Sequence, residues 1–273
     1  MESVVRVLYY LGFLLVIGWV IWWKIIQLYS AKVRSHFVKW GLVFQIIHLL
    51  GLILITLQDT GIILNGEFSF YSTAIFHLPI GPFWLISLLI ALLGFFLLFK
   101  NQWFDLCWVL TLIVCKSLNG HPLNYEPVFY LTLFNSFHLI AATIWVAGLT
   151  FIVLFWHKFR NVVINFIPIF SEYAFICMVM MAISGSILAY QYVPRIDFFF
   201  QPWGLVLLVK LMFVCIITWI AYKIRFFMKN EHMKKIGFWL HVEFLFMVII
   251  ICLVAILTNI NPIFTEFFTM NKN

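Results

Sequence analysis

Charge is what this chain has least of. Asp, Glu, Lys and Arg make up 10% of its 273 residues, whereas soluble domains carry about 25%. Hydrophobic residues make up 65% and the mean hydropathy is +1.08, so there is no room for a soluble domain. Other absences narrow the chemistry. No GxxxxGK[ST] loop and no DKTGT-type aspartate element occurs, which argues against nucleotide-driven pumping. Neither GxSxG nor HExxH is present, so hydrolase chemistry has no support. The five cysteines, Cys107, Cys115, Cys177, Cys215 and Cys252, form no CxxC pair and no extracellular disulfide pattern. They read as small buried hydrophobes. The N-terminus lacks the basic n-region and cleavage site of a signal peptide, and its apolar run is too long for one. It reads as a retained first helix.

What is there is a succession of long apolar runs. A bilayer span needs roughly 20 mainly apolar residues. Eight runs qualify, at about 4–28, 37–57, 79–99, 103–118, 127–156, 163–192, 202–227 and 236–258; the fourth is the shortest. Without water in the bilayer core, such runs must be helices that satisfy their own backbone groups. The expected fold is therefore all-α, a polytopic membrane bundle of eight transmembrane helices. There is no repeat, linker or low-complexity segment, so residues 1–273 read as a single integral membrane domain.

The net charge of +7 does not mark a nucleic-acid binder, because its distribution follows the positive-inside rule. Lys32, Arg34 and Lys39 follow the first run; Lys100 follows the third; Lys158 and Arg160 follow the fifth. Lys223, Arg225, Lys229, Lys234 and Lys235 follow the seventh. The alternate loops hold only Lys116 and Arg195. This places both termini outside and the basic loops in the cytoplasm, in a multi-pass protein of the cytoplasmic membrane. Trp and Tyr near several ends read as interfacial anchors.

Ionisable groups at membrane depth are costly and mark functional sites. His138 lies about ten residues inside the fifth run, roughly 15 Å from its outer end. It shares a stripe with Ala141 or Ala142, Trp145 and Gly148 or Leu149. Small residues there permit close helix contact. The histidine reads as a metal or haem ligand, against a histidine hydrogen-bonded across helices. His121 follows Gly120 and precedes Pro122, at a helix-breaking entrance. His77 precedes Pro79 on the same outer side and could join it in a ligand set. Met178 and Met181 share a face with Cys177 and Met180 nearby. Soft sulfur ligands select Cu(I), but methionine is also an adaptable core filler.

Lys210 and Glu243 lie in apolar runs, and such groups normally pair or line a watery cavity. They read as an ion pair, with a proton or ion relay as the alternative. His48 and Gln45 form another internal polar pair on the second run. His36, His157 and His232 fall in the basic loops and read as solvated.

Taken together, these motifs resemble the copper resistance protein D (CopD) family. The resemblance rests on Leu118-Asn119-Gly120-His121-Pro122, then on His138, Ala141, Ala142, Trp145, Gly148 and Leu149, with Ala147 in place of a family glycine. It continues through Phe170-Ser171-Glu172-Tyr173-Ala174 and Ser184-Gly185. Trp203-Gly204 through Lys210, then Val242-Glu243 and Leu257-Thr258 before Pro262, complete it. It is best from residue 115 to 262; the first hundred residues match mainly by topology. The resemblance implies an eight-helix protein linked to copper uptake or tolerance. It also implies an extracytoplasmic copper carrier of the CopC kind as partner, here without a fused carrier domain.

Three functions compete. In a copper permease, the ion is captured near His121 and His77, passes His138, and continues along the sulfur-bearing face of the sixth helix. Transport then follows a gradient or the membrane potential, with no catalytic residues. In a b-type haem protein, His48, His138 and His241 are the candidate axial ligands, since bundles hold haem between facing histidines. In a copper-delivery assembly factor, the same ligands serve without a continuous path.

Overall fold

A computed structural model describes residues 2–59, 81–119, 128–192, 199–229 and 233–260. These residues form eight helices: α1 (Glu2–Ile26), α2 (Ala31–Asp59), α3 (Gly81–Leu97), α4 (Gln102–Leu118), α5 (Val128–Phe155), α6 (Arg160–Tyr192), α7 (Pro202–Lys229) and α8 (Met233–Leu257). Six of them, α1, α2 and α5 to α8, are long and apolar enough to cross a membrane. Helices α3 and α4 have 17 residues each, at the lower limit of the spanning range. The chain is an all-helical, multi-pass membrane protein.

Helix α1 is the core of the bundle. It packs against α2 and α5, and also against α8 and α4. Glycines allow this approach, because a side chain would hold the backbones apart. A Cβ on Gly12 would lie 2.6 Å from the His48 Cα, and one on Gly51 would lie 2.7 Å from the Tyr9 Cα. A Cβ on Gly18 would fall on the Thr143 carbonyl.

Several tryptophans hold helices together rather than anchoring their ends. Trp19 Nε1 donates to the Phe37 carbonyl at 2.8 Å. Trp22 Nε1 donates to the Ile144 carbonyl at 2.9 Å, and Trp108 Nε1 to the Ile90 carbonyl at 2.7 Å. A buried indole keeps its apolar body in the core only if its N–H finds an acceptor. Around Trp19, the rings of Phe37, Phe44, Phe151 and Phe155 fill the end of the bundle that carries the basic loops.

The α3–α4 turn shows how local chemistry ends one helix and starts the next. Phe99 takes a left-handed conformation, φ +66°, and its N–H donates to Asp105 Oδ1 at 3.1 Å. Asn101 caps α4 by accepting from the Trp103 N–H at 2.9 Å, so one of the orphan donors at the helix start is satisfied.

The last four helices are packed unevenly. Helix α6 lies along α5 and α7 along α8, and α5 meets α8. Among the described residues α6 and α7 are not packed along their length. They are joined at the basic end, where Arg225 Nε donates to Ser171 Oγ at 2.9 Å and the guanidinium also reaches the Ser171 carbonyl.

Candidate functional site

The polar residues of α5 to α8 converge inside the bundle, in two neighbouring groups. The first centres on His138, ten residues into α5 and so about 15 Å from the helix start. Its Nδ1 lies 3.1 Å from Ser184 Oγ on α6. Ser184 directs its only proton to the Met180 carbonyl at 2.6 Å. It therefore accepts from His138, and Nδ1 is the protonated nitrogen. The lone pair is left on Nε2. A histidine ligand held by a hydrogen bond at its other nitrogen is the usual arrangement at metal sites. The ring is half-buried, and Gly185 makes room for it: a Cβ there would sit 3.3 Å from His138 Cε1. Lys210 of α7, also half-buried, is near enough to act electrostatically on the imidazole.

The second group lies further along α5. Trp145 Nε1 donates to Glu243 Oε1 of α8 at 3.4 Å. Glu243 is only 3% exposed. The expected Lys210–Glu243 ion pair is not formed among the described residues: the carboxylate's hydrogen bond goes to the indole. Trp145 and Glu243 both stand out in the sequence, but their pairing does not. The one available signal is that Trp145 shares the His138 stripe and so faces the same interior.

The other expected residues are distributed as follows. His121 and His77 lie outside the described residues. Met181 packs against the main core. Met178 is half-buried one turn earlier on α6. His48 is 1% exposed and pressed against the α1 backbone at Gly12, with Tyr9 and Phe13 rings around it. Neither of its ring nitrogens has a hydrogen-bond partner. Gln45 does not pair with it; its amide donates to the Ala91 carbonyl of α3. His241 lies at the basic end, its ring centroid 6.2 Å from that of His157. His157 is 19 positions from His138, roughly 28 Å along a helix axis, so His241 and His138 do not face one haem. Among the described residues no three His, Cys, Asp or Glu side chains gather as a metal cluster. Ser184, present in the sequence reading only within the Ser184-Gly185 motif, is the polar partner of His138 that the sequence did not reveal.

The fold defines a multi-pass membrane protein with ionisable groups placed among its last four helices. The family model described as copper resistance protein D matches residues 164–257, which carry Ser184, Lys210 and Glu243. The match bears out the family resemblance of the motifs from Phe170 to Leu257. No curated protein and no solved structure matches the chain.

Proposed function

We propose that this protein moves copper across the cytoplasmic membrane by a path between α5, α6, α7 and α8, with His138 as the intramembrane ligand. The observation that carries the reading is the His138 ring. It is held by Ser184 with Nε2 left as a lone-pair donor, in a half-buried position about 15 Å deep. Imidazole suits copper, and the family match supplies the metal.

Each neighbouring group has a role in this reading. Ser184 orients the ligand. Lys210 sets a positive charge beside it, which opposes tight retention of a cation and favours release. Glu243, held by Trp145, is the negative group an entering cation meets further along α5. His121 and His77 form the outer capture point, supplied by a carrier of the CopC type. All eight helices cross the bilayer with both termini outside. An inward-negative potential then favours entry of each positive charge by about 2.3 kcal/mol per 100 mV, so no nucleotide is needed and the protein is not an enzyme.

The test is copper accumulation in sealed vesicles reconstituted with the protein and loaded with a copper chelator, compared with protein-free vesicles. Faster accumulation that grows with the imposed inside-negative potential is expected. Copper binding without accumulation points to an assembly factor. A visible spectrum before and after dithionite checks the haem alternative: a Soret band with reduced α and β bands is the result that overturns the permease reading.

A further inference from the structure

His157 and His241 read from sequence as unrelated residues, one in a basic loop and one near a helix end. The structure brings their rings together at the basic end of the α5–α8 seam, with centroids 6.2 Å apart and planes inclined by 50°. His241 Nδ1 lies 2.7 Å from the Gly237 carbonyl. A carbonyl can only accept, so Nδ1 carries the proton and Nε2 the lone pair. This is the arrangement seen at His138. His36 offers an instructive contrast on the same side of the molecule. Its Nδ1 is likewise fixed by a carbonyl, that of Lys32, but its Nε2 accepts from Lys158 Nζ at 2.7 Å and has no lone pair left for a ligand. The described residues place no such donor on His157 or on His241 Nε2.

Ligand geometry fits the separation. A ring nitrogen binds a metal at about 2.0–2.1 Å, and the ring centroid lies roughly 1.1 Å behind that nitrogen. One ion between two imidazoles on a near-straight line therefore sets the centroids about 6.3 Å apart. A tetrahedral angle brings them closer than observed. An open cavity of about 380 Å³, lined by Trp156, Arg160, Gly237, Phe238 and His241, adjoins the pair and gives access from the aqueous side.

We propose that His157 and His241 form a two-nitrogen metal site at the basic end of the bundle, taking a soft monovalent cation, Cu(I). Charge argues for the monovalent ion. Arg160 lines the cavity and lies over the Trp156 ring at 5.8 Å, and no carboxylate lines it among the described residues. A divalent ion that seeks four ligands finds neither the ligand number nor the charge. As a station receiving the ion from the His138 path, the site rests on the permease reading; as a binding site, it does not.

The experiment is titration of the purified full chain with Cu(I) against a chromophoric chelator. The variants are His157→Ala with His241→Asn, and separately His138→Ala. Asparagine keeps an N–H for the Gly237 carbonyl while removing the ligand nitrogen, and both positions are exposed, so folding is not at risk. The double variant is expected to lose one Cu(I) equivalent, or to hold it at least about tenfold more weakly. His138→Ala is expected to keep that equivalent, and Zn(II) in excess is expected not to displace it. An unchanged stoichiometry and affinity in the double variant overturns the proposal, even where wild-type vesicles accumulate copper. Loss of the equivalent in a protein that accumulates none upholds the site and overturns the permease reading.

Discussion

At the scale of single residues, the account turns on hydrogen bonds that decide which nitrogen or oxygen is left for a metal. Ser184 fixes His138, so Ser184→Ala should weaken copper binding by about 10- to 100-fold, the usual effect of removing a ligand's orienting partner. Direct Cu(I) titration measures it, and an unchanged affinity would show that the ring needs no such support. Lys210 works in the opposite direction. Lys210→Met removes the positive charge next to the histidine and is expected to tighten copper binding while slowing transport, because like charges disfavour one another at short range. Weaker binding in that variant contradicts the assigned role. Trp145→Phe leaves the buried Glu243 carboxylate without its donor, at a cost of about 1–3 kcal/mol. Thermal unfolding in detergent should register that loss. Of this site, the sequence announced the chemistry-bearing residues, His138, Lys210 and Glu243, because ionisable groups stand out in apolar runs. It did not announce who meets whom. Lys210 and Glu243 are on adjacent helices and opposite in charge, yet Trp145 holds the carboxylate.

At the scale of helices, the one-dimensional signal was strong. Every apolar run became a helix, with ends within three residues of those expected except that α2 starts at Ala31 rather than 37, since backbone groups in an apolar setting have no other partners. Differences fall at the termini. Helix α6 starts at Arg160 rather than 163, and α7 runs on to Lys229, because polar residues can continue a helix past the apolar stretch that reveals it. The central place of α1 was not legible. It depends on pairs such as Gly12 with His48 and Gly51 with Tyr9, which belong to two helices and carry no mark of each other in sequence. The tryptophans likewise read as interfacial anchors, whereas Trp19, Trp22 and Trp108 tie helices from inside. Gly12→Leu tests the packing: overfilling the α1–α2 contact should destabilise the protein by about 1–3 kcal/mol. Size-exclusion profiles after heating steps would reveal it as a lower aggregation temperature, and an unchanged profile would count against α1 as the core element.

At the scale of the molecule, the bundle has two unlike halves. Helices α1 and α2, with the inner end of α5, form an aromatic core around Trp19, while α5 to α8 carry His138, Ser184, Lys210 and Glu243. The proposed orientation, with the basic loops inside, follows the positive-inside rule. A C-terminal alkaline phosphatase fusion is therefore expected to be active and a C-terminal green fluorescent protein fusion dark. The reverse pattern would place the His157–His241 pair outside and invert the proposed direction of transport.

The most direct test of the central claim is potential-driven copper uptake into chelator-loaded proteoliposomes, with wild-type protein and His138→Ala inserted at equal density. The account predicts that the variant takes up copper at least several-fold more slowly. Equal rates, with the variant folded and inserted normally, would contradict His138 as the intramembrane ligand.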